Sequence, residues 1–425
     1  MNNTTRLLYD GLQAAIQAAQ AKFCLPNYLP QPPSGRTVVI GMGKAGAAMA
    51  QAFEAHWTGP WDRLQGLVAV PYHSVLPTQH IRLVECAHPI PDTASENAAK
   101  QMLALVSDLT EQDLVVCLIS GGGSALVSLA APGLSLADKQ ALNNALIRSG
   151  ASIQEINLVR RHLSAIKGGR LAAACVPARI VNLLISDVPG DDPTCIASGP
   201  TVIDPSTCAQ ALEILKHYGI DLPALAKSSL QNAAWESVKA DHPIANKIQT
   251  YLIATPHLAL NAAIKQFAQA NVHTMYLGDT IEGEAKDVAK VMAAIAQNIS
   301  RHAQPCAAPC ILLSGGETSV TVKGTGQGGR NVEFLLALLC AIKNQYPITA
   351  LAADTDGVDG ALPIAGDYIT PESWNKALAL GLDPLDYLHR NDAHTFFQRL
   401  EQSITTGPTQ TNVNDFRAIF IDTND

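Results

Sequence analysis

A lysine set inside a glycine turn is the first group in this 425-residue chain that could do chemistry. In "TVVIGMGKAGAAMA", Thr37 to Ala50, an apolar run ends at Ile40, and Gly41, Gly43 and Gly46 follow at the G-x-G-x-x-G spacing with Lys44 among them. Such a turn at a helix start offers backbone N–H groups and a positive dipole end to an anion. Lys44 adds a mobile positive charge suited to phosphate oxygens. The glycine spacing also fits a dinucleotide, but that use needs a carboxylate near the end of the second strand to hold the ribose. Here "GLVAV" ends at Val70 and runs into Pro71, Tyr72 and His73. The acid is missing, and the loop reads as a phosphate loop.

Further loops have similar chemistry. "SGGGS" (Ser120, Gly121, Gly122, Gly123, Ser124) lets a backbone approach a phosphate, with hydroxyls able to bond its oxygens or a magnesium ion. "SGGET" (Ser314, Gly315, Gly316, Glu317, Thr318) repeats the design; Glu317 is a metal or ribose ligand, or with Thr318 a turn cap. "GTGQGGRNVEF", with Gly328 in its densest part, closes on Arg330 where a helix should begin. A cation there opposes the helix dipole but could clamp a carboxylate or a transferring phosphoryl group. "SDVPGDDP" supplies Asp187, Asp191 and Asp192, and "DTDGVDG" supplies Asp354, Asp356 and Asp359. Aspartates beside phosphates hold magnesium or accept a substrate proton. They also cap turns and helices, so about half of these six are expected to be caps. An EF-hand is excluded, because the position that needs glutamate, counted from Asp354, is Ala365.

The elements that carry these loops are short β-rich runs: Thr37–Ile40, Gly66–Val70, Asp113–Ile119, Arg179–Ile185, Thr250–Ile253, His273–Leu277, Cys310–Leu313 and Ile348–Ala353. They alternate with alanine- and leucine-rich helical stretches, which predicts α/β sheets flanked by helices, with ligands beyond the carboxyl ends of the strands. The polar stretch Lys227 to Lys247 is the expected boundary, giving domains 1–240 and 245–425 with the active site in the cleft between them. The N-terminus repeats Leu7, Leu8, Leu12 and Ile16 at helical spacing and lacks a signal-peptide core. No apolar run is long enough for a membrane span, and the formal charge of -8 argues against nucleic acid. Nine scattered cysteines without a C-x-x-C pair read as reduced thiols, so a cytoplasmic protein is expected, as a monomer or homodimer. Cys306 and Cys310 are spaced like a metal pair, but no second pair accompanies them.

Taken in order, "GMGKAGAAMA", "AHPIPDTAS", "SGGGSALV", "GASIQEINLVRRHLSAIKGGRLA", "SDVPGDDPTCIASGPT", "SGGETSVTVKGTGQGGRNVEF", "AADTDGVDG" and "TGPTQTNVND" resemble the class II glycerate 2-kinase family, whose C-terminal part is the MOFRL domain. The resemblance runs from about Thr37 to Asp415. It implies a Rossmann-like N-terminal domain, a MOFRL-type α/β C-terminal domain, and ATP- and Mg2+-dependent phosphorylation of D-glycerate to 2-phosphoglycerate. Some members carry the older label hydroxypyruvate reductase, so NAD(P)H-dependent reduction is the rival expectation. The family's lysine and arginine fall on Lys44 and Arg330, and its "SDV" aspartate on Asp187, the candidate for orienting the substrate hydroxyl. Gly43, the two serine–glycine loops, His88, Lys167 and Gly328 are expected at the substrate and phosphates, and Asp354, Asp356 and Asp192 at magnesium. Gln410 stands where the family more usually has glycine, at a turn where glycine would supply a positive φ.

Overall fold

The computed structural model describes residues 2–423. The chain divides into two compact units, Ala21–Ile253 and a second made of Met1–Gln20 with Ala254–Asp425.

The first unit is built on β1 (Thr37–Met42), β2 (Leu64–Pro71), β3 (Ile81–Cys86), β4 (Leu114–Ile119), β5 (Arg179–Ile185) and β6 (Ile248–Ala254), in the order β3-β2-β1-β4-β5-β6. The β3–β2, β2–β1, β1–β4 and β4–β5 pairs are parallel. Every residue of β1 and of β4 is buried, as expected of central strands covered by helices on both faces. The order reverses between β1 and β4, the switch point where open α/β sheets leave a crevice for ligands. The turns that leave these two strands are "GMGK" and "SGGGS".

A helical group in the same unit contains helices Leu136–Arg148, Ile153–His162, Cys208–His217 and Ala224–Gln231. Leu142, Leu146, Ile156, Val159, Leu215 and Leu230 share its core. Three of these helices start on a reciprocal capping box: Ser135 with Asp138, Ser152 with Glu155, and Thr207 with Gln210. Each box satisfies two backbone donors that would otherwise lack partners, which fixes where the helix begins.

The second unit contains β7 (His273–Gly278), β8 (Gly283–Glu284), β9 (Cys310–Ser314), β10 (Thr318–Ser319), β11 (Ile348–Asp354), β12 (Gly366–Ile369), β13 (Ser403–Ile404) and β14 (Asp415–Ile421). Its main sheet runs β13-β12-β11-β14-β9-β7, and β8 pairs with β10 in a short ribbon. The sheet is mixed: β14 lies antiparallel to both β11 and β9, while β7 is parallel to β9. Helix Arg330–Ile342 is apolar on nearly every side and mostly buried, with Phe334, Leu335, Leu336, Leu338 and Leu339 fully covered.

Two features differ from the expected domains 1–240 and 245–425. The strand at Thr250–Ile253 completes the first sheet as β6, so the division follows it. Helix Asn3–Ala19, expected in the N-terminal domain, belongs to the C-terminal unit. Its buried face of Leu8, Leu12 and Ile16 packs along helix Pro256–Gln269. The packing is close: a β-carbon on Gly11 would stand 2.2 Å from the Phe267 ring, so only glycine admits that ring.

Candidate active site

In the Ala21–Ile253 unit the two turns at the switch point interlock. Lys44 N–H donates to the Gly121 carbonyl at 2.8 Å, and Ala45 N–H donates to Ser120 Oγ at 3.0 Å. Gly43 has φ +133°, and a β-carbon there would stand 2.1 Å from Ser120 Oγ. Both backbone conformation and space therefore demand glycine at this position. Helix Gly46–His56 follows directly, aiming its N-terminal dipole end toward the turn.

Three candidate side chains converge on the tri-glycine turn. The β-position of Gly121 lies 1.7 Å from Asp187 Oδ2, and that of Gly122 lies 3.1 Å from His88 Nε2 and 3.3 Å from Lys44 Cγ. Lys44, His88 and Asp187 are thus gathered around two glycines whose missing side chains make the room. Ser124 Oγ bonds Ser198 Oγ at 2.7 Å, and Lys167 Nζ donates to the Ser124 carbonyl at 2.7 Å. Lys167 is buried beneath the turn.

No acid enters from β2 to serve a ribose. The nearby carboxylates are engaged: Asp92 accepts from Tyr72 Oη at 2.6 Å and caps helix Thr93–Leu105, and Glu85 accepts from His73 N–H at 2.5 Å.

In the second unit Arg330, the first residue of its helix, is held by carboxylates. Its Nε reaches Asp415 Oδ1 at 2.7 Å, one Nη reaches Asp354 Oδ2 at 2.5 Å, and Glu317 Oε1 lies 3.9 Å away. Burial alone would lower its pKa, but Asp415, Asp354 and Glu317 reverse this and hold it above its ordinary value. Asp415 also accepts from Asn331 Nδ2 at 2.8 Å and Thr318 N–H at 3.3 Å, and pairs with the buried Arg417. Arg417 in turn donates to the Gly315 carbonyl at 2.9 Å. Ser314, Gly315, Gly316 and Thr318 are therefore braced from below by β14. Asp415 and Arg417 lie outside the residues expected at the site. Their spacing of two in "NDFRAIFI" puts both on one face of a strand, and that was the available signal.

The remaining aspartates separate into turn formers and buried groups. Asp359 accepts from Asn331 and Val332 N–H at 3.1 and 3.0 Å, capping the Arg330 helix, and burial pushes its carboxyl up to about 6. Asp192 accepts from Thr194 N–H at 2.9 Å in an exposed turn. Asp356 accepts from Val358 N–H at 2.9 Å and is half-buried. Gly328 is exposed, in a glycine loop anchored where Asn391 Oδ1 accepts from Lys323 and Gly324 N–H and Asp392 Oδ1 accepts from Gln327 N–H.

Metal-ligand chemistry is sparse. Cys306 and Cys310 stand 3.5 Å apart sulfur to sulfur, and burial pushes the Cys310 thiol up to about 12, away from the thiolate that a metal needs. Among the described residues, only His162, Cys208 and Glu236 bring three ligand atoms within 4.8 Å of one another. Glu236 is already engaged there by Lys239 Nζ at 2.9 Å and Cys208 N–H at 3.1 Å, an internal brace of the helical group. Gln410 does have positive φ, +63°. No helix among the described residues is long and apolar enough to cross a membrane.

Comparison with known proteins places this geometry in a family. A domain of unknown function (DUF4147) matches residues 7–231, and the MOFRL family matches residues 310–415. A D-glycerate 2-kinase of Thermotoga maritima is 34% identical over 96% of this chain and 96% of its own length. A protein of Agrobacterium vitis, provisionally named a hydroxypyruvate reductase, is 47% identical over 98% of this chain and 93% of its own. The crystal structure of glycerate kinase from Thermotoga maritima superposes with a TM-score of 0.90 at 33% identity, covering 98% of this chain and 99% of that one. The chain belongs to the glycerate 2-kinase family with a C-terminal MOFRL domain.

Proposed function

We propose that this kinase transfers the γ-phosphoryl group of ATP to the 2-hydroxyl of D-glycerate, in line and with magnesium on the phosphates. The observation that carries the reading is the convergence of Lys44, His88 and Asp187 on the Gly121–Gly122 turn. Phosphoryl transfer rests on positioning and charge stabilisation, and this site combines a helix N-terminus with a cation. Lys44 neutralises charge on the transferring group, and Asp187 orients the attacking hydroxyl or accepts its proton. His88 is a hydrogen-bonding partner of the same group.

Arg330 stands beside three carboxyl groups, and burial with Asp356 nearby pushes that of Asp354 well above its ordinary value. Carboxylates at this position suit a magnesium ion better than they suit the carboxylate of glycerate. Magnesium keeps several waters and takes one or two protein carboxylates. Asp354 is engaged by Arg330, which leaves the half-buried Asp356 and the half-exposed Glu317 as the better donors in this unit. Asp192 serves its own turn. When bound, magnesium would offset the charge of the phosphates. We read the enzyme as cytoplasmic, acting on small molecules as a monomer or homodimer.

The test is NMR of the product from ATP, magnesium and D-glycerate, which reports reaction and regiochemistry together. Lys44→Ala and Arg330→Ala should each lower turnover by at least ~10²-fold. Near-normal turnover in either variant removes that residue from its role. Hydroxypyruvate-dependent oxidation of NADH in place of phosphorylation overturns the reading.

A further inference from the structure

The Ala21–Ile253 unit holds a cavity lined by three cations on the helical group: Lys139 of helix Leu136–Arg148, Arg160 of helix Ile153–His162, and Lys167 just beyond. Ser124 and Pro89 also line it, so it adjoins both the tri-glycine turn and the His88 segment. Lys139 and Lys167 are 7% and 2% exposed. Among the described residues no carboxylate pairs with any of the three, and their partners are neutral. Lys139 Nζ donates to Ser128 Oγ at 2.9 Å and the Leu129 carbonyl at 3.3 Å. Arg160 Nε donates to Asn143 Oδ1 at 2.5 Å, and Lys167 Nζ to the Ser124 and Ala197 carbonyls at 2.7 and 3.4 Å.

Buried like charges without a counter-ion are costly. The neighbouring residue shows that the fold can supply one: Arg161 is paired with buried Asp204 at 3.0 Å. Burial, with Arg160 nearby, pushes Lys139 down to about 7, and burial with Lys139 and Arg160 pushes Lys167 well below its ordinary value. Asn143, Asn144 and Gln140 on the cavity wall add amides that match hydroxyl groups.

We propose that the Lys139–Arg160–Lys167 cavity binds the small hydroxy acid through its carboxylate, and that the ligand supplies the counter-ion the protein omits. This inference rests on the glycerate kinase reading. A nucleotide phosphate offers the same oxyanion chemistry and is the competing source. Part of the wall is apolar, formed by Pro89, Ile90, Pro91 and Leu163, which suits a three-carbon acid more than a triphosphate.

The test is isothermal titration of the full chain with D-glycerate, with glycerol, and with a non-hydrolysable ATP analogue plus magnesium, in the native protein, Lys139→Met and Arg160→Met. Expected are native binding of D-glycerate but not glycerol, a loss of at least ~10-fold in D-glycerate affinity in both variants, and nucleotide affinity within about 3-fold of native. At pH 8 native binding of D-glycerate should take up protons, because the carboxylate restores charge on Lys139 and Lys167 beside Arg160, and Lys139→Met should reduce that uptake. Each variant removes a charge that no carboxylate pairs with, and a melting curve verifies that it folds. Unchanged D-glycerate affinity, loss of nucleotide binding instead, or no D-glycerate binding by the native chain overturns the inference. If D-glycerate binds as described but ATP yields no phosphorylated product, the proposed function falls and the cavity stands.

Discussion

Lys139→Met offers the sharpest check on the physics of this fold, because it predicts a gain in stability that fades with pH. In the native protein the ammonium is nearly fully buried and is pushed from 10.5 down to about 7. At ~1.4 kcal/mol per tenfold change, that displacement is a folded-state penalty of ~5 kcal/mol whenever the lysine is charged in both states. Methionine keeps the stem's apolar contacts but loses the bonds to Ser128 Oγ and the Leu129 carbonyl, costing ~1 kcal/mol each. The net gain at pH 7 is therefore ~2–3 kcal/mol, or a rise of ~5–10 °C in melting temperature for a unit of this size. A depressed lysine binds more protons unfolded than folded between about 7 and 10.5, so native stability rises with pH through that window. From pH 7 to 9 the advantage of the variant should shrink by ~3 kcal/mol, bringing the two proteins level. Paired melting curves at each pH cancel the titration of every group that Lys139 does not influence. An unchanged difference between pH 7 and 9, or a less stable variant at pH 7, refutes the reasoning.

Three further outcomes follow from the packing. Gly11→Ala forces a β-carbon to within 2.2 Å of the Phe267 ring and should cost ~1–3 kcal/mol, measured by chemical denaturation. Gln410→Gly relieves a side-chain-bearing residue at φ +63° and should raise the melting temperature, with a gain of up to ~1 kcal/mol. Asp204→Asn strands Arg161 in the interior and should cost ~3–5 kcal/mol near neutrality. Burial opposes the Asp204 carboxylate, but Arg161 and Ser206 hold its pKa below the ordinary value. The difference between native and variant should therefore narrow as pH falls below the unfolded carboxylate range.

What the sequence made legible is mostly local. Strand ends rich in glycine and serine point to the Lys44, tri-glycine and "SGGET" turns because phosphate chemistry and tight backbone geometry demand the same residue types. The positive φ at Gln410 was legible for the same reason. Long-range choices were not. An amphipathic pattern in residues 3–19 says that one face is covered, but it carries no information about what covers it; Gly11 and Phe267 decide that across the chain. β3, β8, β10, β12, β13 and β14 fall outside the expected strands, being short or interrupted by polar residues, and β14 places Asp415 beside Arg330 only through tertiary pairing. Lys139 did leave a trace: with Leu142 and Leu146 it falls on one helical face, where a lysine among buried leucines signals a desolvated charge.

The route of the chain between its units carries a consequence for biogenesis. Helix Asn3–Ala19 is translated before the entire Ala21–Ile253 unit, and its partner, helix Pro256–Gln269, only after it. At roughly 5–20 residues per second the wait is on the order of tens of seconds, during which the apolar stripe of Leu8, Leu12 and Ile16 has no native cover. The intervening unit has the whole of its own sheet by then and can fold in that interval. A nascent chain stalled before residue 256 should thus expose its N-terminal helix to protease and to chaperones, and release past the last strand should close it.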